Sequence, residues 1–398
     1  MHSPHRPSKT GFFALEALNS LATSYYFFYL FFFMAREYGF DNRDNLALAA
    51  LNGFVYMANA WLGGRFGQRF GCLNALGLGV GIMTTALLCG AFVNSQWGHV
   101  VVMATCTLGM CFTWPNLEAL VSENELPAKL PHTLGLYNMV WAGMGALAYF
   151  TGGAMLETLG QRSLFWVPVG LQATMIVLLA VLRKQEDPLP KGQPSPFEAP
   201  AGLPPLNPRP IARAKTFLKL AWLANPFAYV AINTVVAVVP GIAKQFDLSP
   251  KFAGFFCSVW FFARLGTFLW LWLWDGWHYR FHWLVSAYVM LIAGFAMVLL
   301  APNLFVIVVA QIAFGMGCGL IYYSSLFYSM DVGEAKAEHG GLHESAIGLG
   351  IFGGPAIAGT ALYLAPNNPH SGTIAVAATL LLGLAAILAR HYRSRGRF

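Results

Sequence analysis

Long apolar runs limit what this chain can fold into more than any other feature of its sequence. A helix that crosses a bilayer needs roughly 20 consecutive apolar residues, and runs of that length recur along the whole chain. The runs are too long and too uniform for the alternating strands of a membrane barrel. We therefore predict an all-α membrane protein with twelve transmembrane helices, near residues 12–34, 45–64, 73–93, 98–121, 134–158, 164–183, 217–241, 252–274, 283–301, 303–329, 343–364 and 371–390.

Composition argues against a soluble domain. The 398 residues are 57% hydrophobic and only 10% charged, whereas a soluble domain carries about 25% charged residues. A fold in water would have too little polar surface to cover its core. We therefore expect the lipid bilayer to be the main environment of the protein.

One polar segment divides the apolar pattern into two halves. Residues 184–216 are rich in proline and charge, and six apolar runs lie on each side of them. Prolines in such a segment favour an extended chain. We predict two pseudo-symmetric six-helix bundles, residues 1–183 and 217–398, joined by a linker over residues 184–216.

The basic residues indicate an orientation in the membrane. With twelve spans both termini lie on one side, and most of the 24 Lys and Arg residues fall on that side. The positive-inside rule then places both termini and the linker in the cytoplasm, with the chain in the inner or plasma membrane. Because topology accounts for the net charge of +7, we expect no nucleic-acid partner. We also expect a monomer.

The two halves resemble each other weakly. A shift that lays Gly109 on Gly315 also lays Gly153 on Gly359, and the hydropathy pattern repeats at nearly the same interval. Internal repeats related by an axis along the membrane normal recur in secondary transporters, with the substrate bound near the midplane between the halves. The repeat therefore favours a transporter.

The loop after the second run contains the strongest local motif. It reads GRFGQRFG over residues 64–71 and resembles the major facilitator superfamily signature G-x-L-x-D-R-x-G-R-R. Gln68 stands where that family usually has Asp, and Cys72 stands where it has a basic residue. The matching positions are Gly64, Arg69 and Gly71.

Two segments of the second half extend the resemblance. Asp275 occupies the position related to the loop motif, although the glycine and arginine spacing there is eroded. Residues 350–359 read GIFGGPAIAG and look like the family motif g-x-x-x-G-P-x-x-G-G, which normally belongs to the fifth span. The resemblance implies the superfamily fold without identifying a subfamily or a substrate.

In that fold, the resemblance implies that the first span of each three-span unit lines a central cavity. Polar side chains at helical spacing on these spans are candidates for a wet cavity wall. Hydrogen bonds that merely hold the helices together are the alternative. The candidates are Asn19, Thr23, Tyr26, Thr113, Asn116, Asn225, Tyr229, Asn233, Gln311, Tyr322 and Ser325.

Arg264 lies near the middle of the eighth run. A charge at the centre of a bilayer costs about 2.5–3.5 kcal/mol on insertion scales, so it needs a function or a partner. Two roles fit: binding an anionic substrate through its fork of N–H donors, or pairing with an internal carboxylate such as Glu118 or Glu16. The sequence leaves both open.

Glu16 and Glu118 are the candidates for proton coupling. A buried carboxylate favours its protonated form and can exchange a proton near neutral pH. Both lie toward the cytoplasmic third of their spans. The alternative is therefore that both side chains simply contact water at that depth and play no part in coupling.

A gate is expected at the cytoplasmic end of the helices. In the superfamily the loop after span two packs against span eleven in the outward-open state, so the resemblance implies that Arg65 or Arg69 pairs with Glu344. Asp275 is the related candidate in the second half. The alternative is that Glu344 only stabilises its own helix. A carboxylate in the first turn interacts favourably with the helix dipole, by about 0.3–1 kcal/mol.

Two histidine pairs have the helical spacing of a metal site: His278 with His282, and His339 with His343. Neither has the HExxH order, so histidines without metal are the favoured interpretation. No GxxxxGK[ST] loop is present in the sequence, so ATP is not indicated. We predict no metal, no cofactor and no enzymatic activity.

Together these patterns predict a secondary transporter of a small polar or anionic organic solute that works by alternating access. Proton symport is the default coupling. A uniporter, a facilitator or a drug exporter of the same fold is the near alternative. A membrane-embedded metalloenzyme and a non-transporting sensor are the alternatives of another class.

Overall fold

Long helices account for nearly all of the described chain. The computed structural model describes residues 9–123, 125, 129–185, 211–331 and 337–395. These residues form fourteen α-helices and one short 3₁₀ helix, Asp275–Trp277. The α-helices are α1 Lys9–Tyr38, α2 Asn42–Phe70, α3 Cys72–Gly90, α4 Gln96–Met110, α5 Trp114–Ser122, α6 Leu130–Leu159, α7 Ser163–Gln185, α8 Ile211–Gln245, α9 Pro250–Cys257, α10 Val259–Leu273, α11 Phe281–Leu299, α12 Leu304–Asp331, α13 Ala337–Leu364 and α14 Ser371–Arg395.

Eleven helical segments in the described part are long and apolar enough to cross a membrane. Each predicted run falls on a helix or, in two places, on a pair of helices. The segment α1 is 30 residues long but lies outside the set of eleven. Its polar residues and its tyrosines lower its mean hydropathy. The helix can carry them because they are buried inside the bundle.

The fourth predicted run is broken near its middle. Helix α4 ends at Met110 and α5 begins at Trp114. Pro115 lies in the first turn of α5, where its missing N–H costs nothing. The hydroxyl of Thr113 donates to the Met110 carbonyl at 3.0 Å, and the Asn116 amide donates to the Phe112 carbonyl at 3.0 Å. The Asn116 side chain thus satisfies a carbonyl at the break, and the Thr113 hydroxyl adds to the bond that the Met110 carbonyl accepts from the Thr113 N–H at 3.0 Å.

The eighth predicted run is broken at Ser258, between α9 and α10. Gln311 of α12 bridges the break: its amide donates to the Phe256 carbonyl at 2.6 Å and accepts from the Trp260 N–H at 3.3 Å. Irregular backbone at membrane depth persists only where other groups satisfy the hydrogen bonding of its N–H and C=O groups. Gln311 therefore stabilises this kink.

Glycines allow α2 and α13 to pack backbone to backbone. Gly53 lies against the main chain of Phe352, and a side chain at Gly348 would meet the Cα of Met57 at 2.7 Å. Small residues permit such close approach between membrane helices. The pair joins the part of the chain before residue 186 to the part after residue 210.

The bundle has two ends, which we name by residues. The Asp41 end is where α1 turns into α2, and the Arg65 end is where α2 approaches α3. At the Asp41 end, Gly153 of α6 packs on the Pro250 carbonyl, and Glu157 accepts from the Lys251 N–H at 2.8 Å. The helices before and after the linker are therefore in direct contact at the Asp41 end.

The segment between α7 and α8 is shorter than the predicted linker. Helix α7 continues to Gln185 and α8 begins at Ile211. Residues 184–185 and 211–216 are therefore helical. The rest of the predicted linker, residues 186–210, lies outside the described part of the chain.

We predict that Gly53→Ala lowers the apparent Tm of the purified protein. The added Cβ would meet the backbone of α13, which cannot rotate away, and overpacking of this kind costs about 1–3 kcal/mol. The matched control is Gly170→Ala on α7, where a Cβ meets nothing within 4 Å and helix propensity improves by about 1 kcal/mol. Equal melting temperatures for the two variants would contradict the close approach of α2 and α13.

Candidate functional site

A central cavity of about 170 Å³ lies between the helices of the two halves. Helices α1, α2, α5, α6, α8, α10, α12 and α13 all contribute to its wall. The charged side chains on the wall are Arg264, Glu118 and Glu344. Its uncharged polar side chains are Thr23, Ser24, Asn52, Tyr56, Tyr137, Asn138, Tyr229, Asn233 and Tyr322.

Arg264 is the buried cation of this cavity, with only 2% of its surface exposed. Its guanidinium carbon lies 4.4 Å from the ring centroid of Trp141, 5.0 Å from that of Tyr322 and 5.4 Å from that of Phe268. Such cation–π contacts stabilise a desolvated cation by about 2 kcal/mol. The side chain of Tyr229 also lies close to the guanidinium.

The hydrogen bonding of Arg264 is incomplete. Its Nε and Nη2 atoms have no hydrogen-bond partner. Neither Glu118 nor Glu16 forms an ion pair with Arg264 in this structure. Arg264 therefore has two buried N–H donors without a partner, in a residue that lines the cavity wall.

Two side-chain hydrogen bonds cross the cavity between the halves. The Tyr322 hydroxyl of α12 donates to the Asn138 side-chain oxygen of α6 at 3.1 Å. The Tyr56 hydroxyl of α2 donates to the Glu344 carboxylate of α13. Movement of one half against the other would break both bonds, because each joins residues on opposite sides of the linker.

Glu16 is fully buried beside the cavity and accepts three hydrogen bonds. It accepts from the Tyr137 hydroxyl at 2.8 Å, from the Trp114 indole at 3.3 Å and from the Ser20 hydroxyl. Three donors from α1, α5 and α6 thus converge on a single carboxylate.

Three carboxylates cluster on the Arg65 side of Arg264. Glu16, Glu118 and Glu344 come from α1, α5 and α13, and each is close enough to influence the charge of the others. Glu118 and Glu344 line the cavity directly. Like charges so close together disfavour simultaneous ionisation.

The structure places some of the predicted cavity residues on the cavity wall and others elsewhere. Thr23, Tyr229, Asn233, Arg264 and Tyr322 line the cavity. The side chains of Thr113, Asn116 and Gln311 bind backbone carbonyls near the helix breaks. The remaining candidates are buried with side-chain polar atoms that have no partner: Asn19, Tyr26, Asn225 and Ser325.

The predicted gate residues are not paired in this structure. The guanidinium of Arg65 lies 4.2 Å from the Trp61 ring centroid, and that of Arg69 lies 5.2 Å from the Phe70 ring centroid. Glu344 bonds Tyr56 instead. Asp275 opens the 3₁₀ helix, where its carbonyl accepts from the His278 N–H at 3.1 Å.

Sequence reasoning missed cavity residues on α2 and α6. It selected the first span of each three-span unit, and Asn52, Tyr56, Asn138 and Trp141 lie on other spans. Asn52 and Tyr56 are four residues apart and therefore share a helical face. That polar spacing within an apolar run is the signal that could have found them.

The described residues contain no group of three His, Cys, Asp or Glu side chains that could hold a metal ion. His278 stacks on Phe327 with centroids 4.0 Å apart, and His282 lies against Trp283. The side chains of His339 and His343 lie outside the described part.

The helical architecture and the central cavity are those of a membrane transporter, and the sequence identifies its family. Residues 12–355 match the Major Facilitator Superfamily. The chain belongs to that superfamily, as the motifs at residues 64–71 and 350–359 indicated. It is an integral membrane protein of a transporter family, and that membership indicates a small-molecule substrate rather than an enzymatic reaction.

Solved transporters have a similar fold. An auto-inhibited POT family peptide transporter has a TM-score of 0.70 at 13% identity, covering 97% of this chain and 96% of its own. The human organic anion transporter MFSD10 (TETRAN) has a TM-score of 0.66 at 14% identity, covering 97% and 100%. A point mutant of the nucleoside transporter NupG has a TM-score of 0.65 at 13% identity, covering 98% and 99%. No curated protein sequence matches the chain.

Proposed function

We propose that this protein is a secondary transporter that moves a small polar or anionic organic solute through the central cavity by alternating access. Twelve transmembrane helices would form two six-helix bundles, residues 1–183 and 217–398, which rock about the cavity. The twelfth span would be α1. Its 30 residues are long enough to cross a bilayer, and its polar side is buried against other helices.

The unpaired Arg264 carries this proposal. A buried cation with two free donors is costly unless a ligand satisfies it. Because Arg264 lies on the cavity wall, an entering solute could supply the hydrogen-bond acceptors that the protein itself does not provide. The transporters of similar fold include a peptide transporter and an organic anion transporter, and peptides and organic anions carry such acceptors.

We further propose that the Arg65 end faces the cytoplasm. The basic residues concentrate at that end and in the linker, which fits the positive-inside rule. The three carboxylates would then lie on the cytoplasmic side of the solute site. Protons exchanged there would couple transport to the proton gradient, and a uniporter would show no such coupling.

Removing the Arg264 side chain tests the solute site. We expect Arg264→Ala and Arg264→Lys both to abolish uptake by proteoliposomes, because neither keeps the fork of donors. Vesicles would be given a mixture of nucleosides, dipeptides and organic acids, and mass spectrometry of their contents would identify what enters. Arg390→Gln, at an exposed position of α14, is the control. Normal uptake by a folded Arg264→Ala protein would refute the assignment.

Neutral substitutions of the carboxylates test coupling. We expect Glu118→Gln and Glu16→Gln to lose accumulation driven by a pH gradient while exchange of solute across the membrane at equal pH persists. A glutamine keeps the shape but cannot release a proton. Glu37→Gln, at an exposed position near the Asp41 end, should retain both activities. If Glu118→Gln and Glu16→Gln both accumulate solute as the parent does, coupling lies elsewhere or is absent.

Charge reversal tests the proposed gate. Arg65 or Arg69 would pair with Glu344 when the Arg65 end closes, a state other than the one seen here. We expect Glu344→Arg to reduce uptake and the added Arg69→Glu to restore part of it, because the ion pair is rebuilt with opposite polarity. Arg43→Glu, near the Asp41 end, should give no rescue. Purely additive effects of Glu344→Arg and Arg69→Glu would argue against the gate.

A further inference from the structure

One edge of the Arg264 guanidinium has no hydrogen-bond partner, and its geometry indicates which chemical group could bind there. Nε and Nη2, the two unpartnered nitrogens, lie on the same edge of a guanidinium. Their N–H bonds are nearly parallel, a geometry that matches the two oxygens of a carboxylate or two oxygens of a phosphate. The aromatic rings of Trp141, Tyr322 and Phe268 lie against the guanidinium. These rings supply no hydrogen-bond acceptor to Nε or Nη2, so that edge has no partner among the described residues.

The charges on the wall favour a single negative charge. Arg264 is the one Lys, Arg or His side chain among the described residues that line the cavity. Glu118 and Glu344 line it too, so the cavity holds no surplus of positive charge. A phosphate group carries about −1.5 to −2 at pH 7 and would leave net negative charge next to these acids. A carboxylate carries one negative charge, equal and opposite to that of Arg264, and these acids repel it less than they repel a phosphate.

The rest of the wall favours a flat apolar body. Phe27, Phe28, Trp260 and Phe261 line the cavity together with Trp141. Aromatic side chains of this kind pack well on the face of a planar ring. A cavity of about 170 Å³ with these walls accommodates an aromatic ring that carries a short side chain.

We propose that the solute is a small monocarboxylate with a flat apolar body, bound through the Nε and Nη2 edge of Arg264 with its body among the aromatic rings. The inference rests on the transporter function proposed above and narrows its substrate class. Bound in this way, the ligand and Arg264 form a neutral pair, and the apolar body replaces water against the rings.

A series of probes that share one ring tests the charge and shape of the ligand. The probes are benzoate, the uncharged benzamide, the dianion phenylphosphonate, the cation benzylamine, the zwitterion phenylalanine and, as the one probe without a ring, acetate. Binding to the purified full-length protein would be followed by the rise in apparent Tm, which grows with ligand concentration above Kd. Quenching of tryptophan fluorescence would report contact with the cavity, since Trp114, Trp141 and Trp260 line it.

We expect benzoate to bind on the order of tenfold or more tightly than benzamide, because hydrogen bonds to a charged group contribute about 1.5–3 kcal/mol. Benzoate should also bind more tightly than phenylphosphonate, phenylalanine, benzylamine and acetate. Arg264→Gln should remove the advantage of benzoate over benzamide, and Arg390→Gln should keep it. The comparison of probes on the parent protein needs no variant, so it stands even where Arg264→Gln does not fold.

Three results would overturn the inference: equal binding of benzoate and benzamide, tighter binding of the dianion or the zwitterion, or no binding of any ring-containing probe. None of these would refute transport itself. The vesicle uptake of mixed solutes tests that function separately, and a protein that accumulates a dipeptide or a nucleoside but ignores benzoate would keep the transporter function and lose only this substrate class.

Discussion

A single buried guanidinium imposes the strictest physical constraint on this structure. Arg264 lies deep among membrane helices, where an isolated charge costs several kcal/mol, yet the described residues offer it no ion-pair partner. Its stabilisation comes from Trp141 of α6, Phe268 of α10, and Tyr322 of α12. Helices on both sides of the linker therefore meet around one cation on the wall of the cavity.

The polar residues inside the bundle perform two different tasks. Gln311 and Asn116 bind backbone groups near the helix breaks. Asn233 and Tyr322 instead reach the cavity, and Tyr322 also binds across to Asn138. Both tasks reduce the cost of burying polar groups in lipid, so residue type alone does not distinguish them.

The carboxylates differ in how far the protein satisfies them. Glu16 receives three hydrogen bonds, Glu344 receives one from the opposite half, and Glu118 faces the cavity. A proton or a ligand entering the cavity would therefore meet Glu118 and Glu344 before Glu16. Because Tyr56 joins Glu344 to α2, a change in the charge of Glu344 would act directly on the contact between the halves.

The amino-acid sequence by itself determined the helical membrane class, the approximate position of every long apolar segment, and membership of the superfamily. These depend on the length of apolar runs and on short motifs, which are local properties. The sequence also singled out Arg264, because a charge in an apolar run is conspicuous. Only the tertiary structure decided that Arg264 is stabilised by aromatic rings rather than by Glu118 or Glu16, that Gln311 supports a kink, and that Tyr56 contributes to the site. Those outcomes depend on helix rotation, helix breaks and contacts between residues far apart in the chain, which no local pattern specifies.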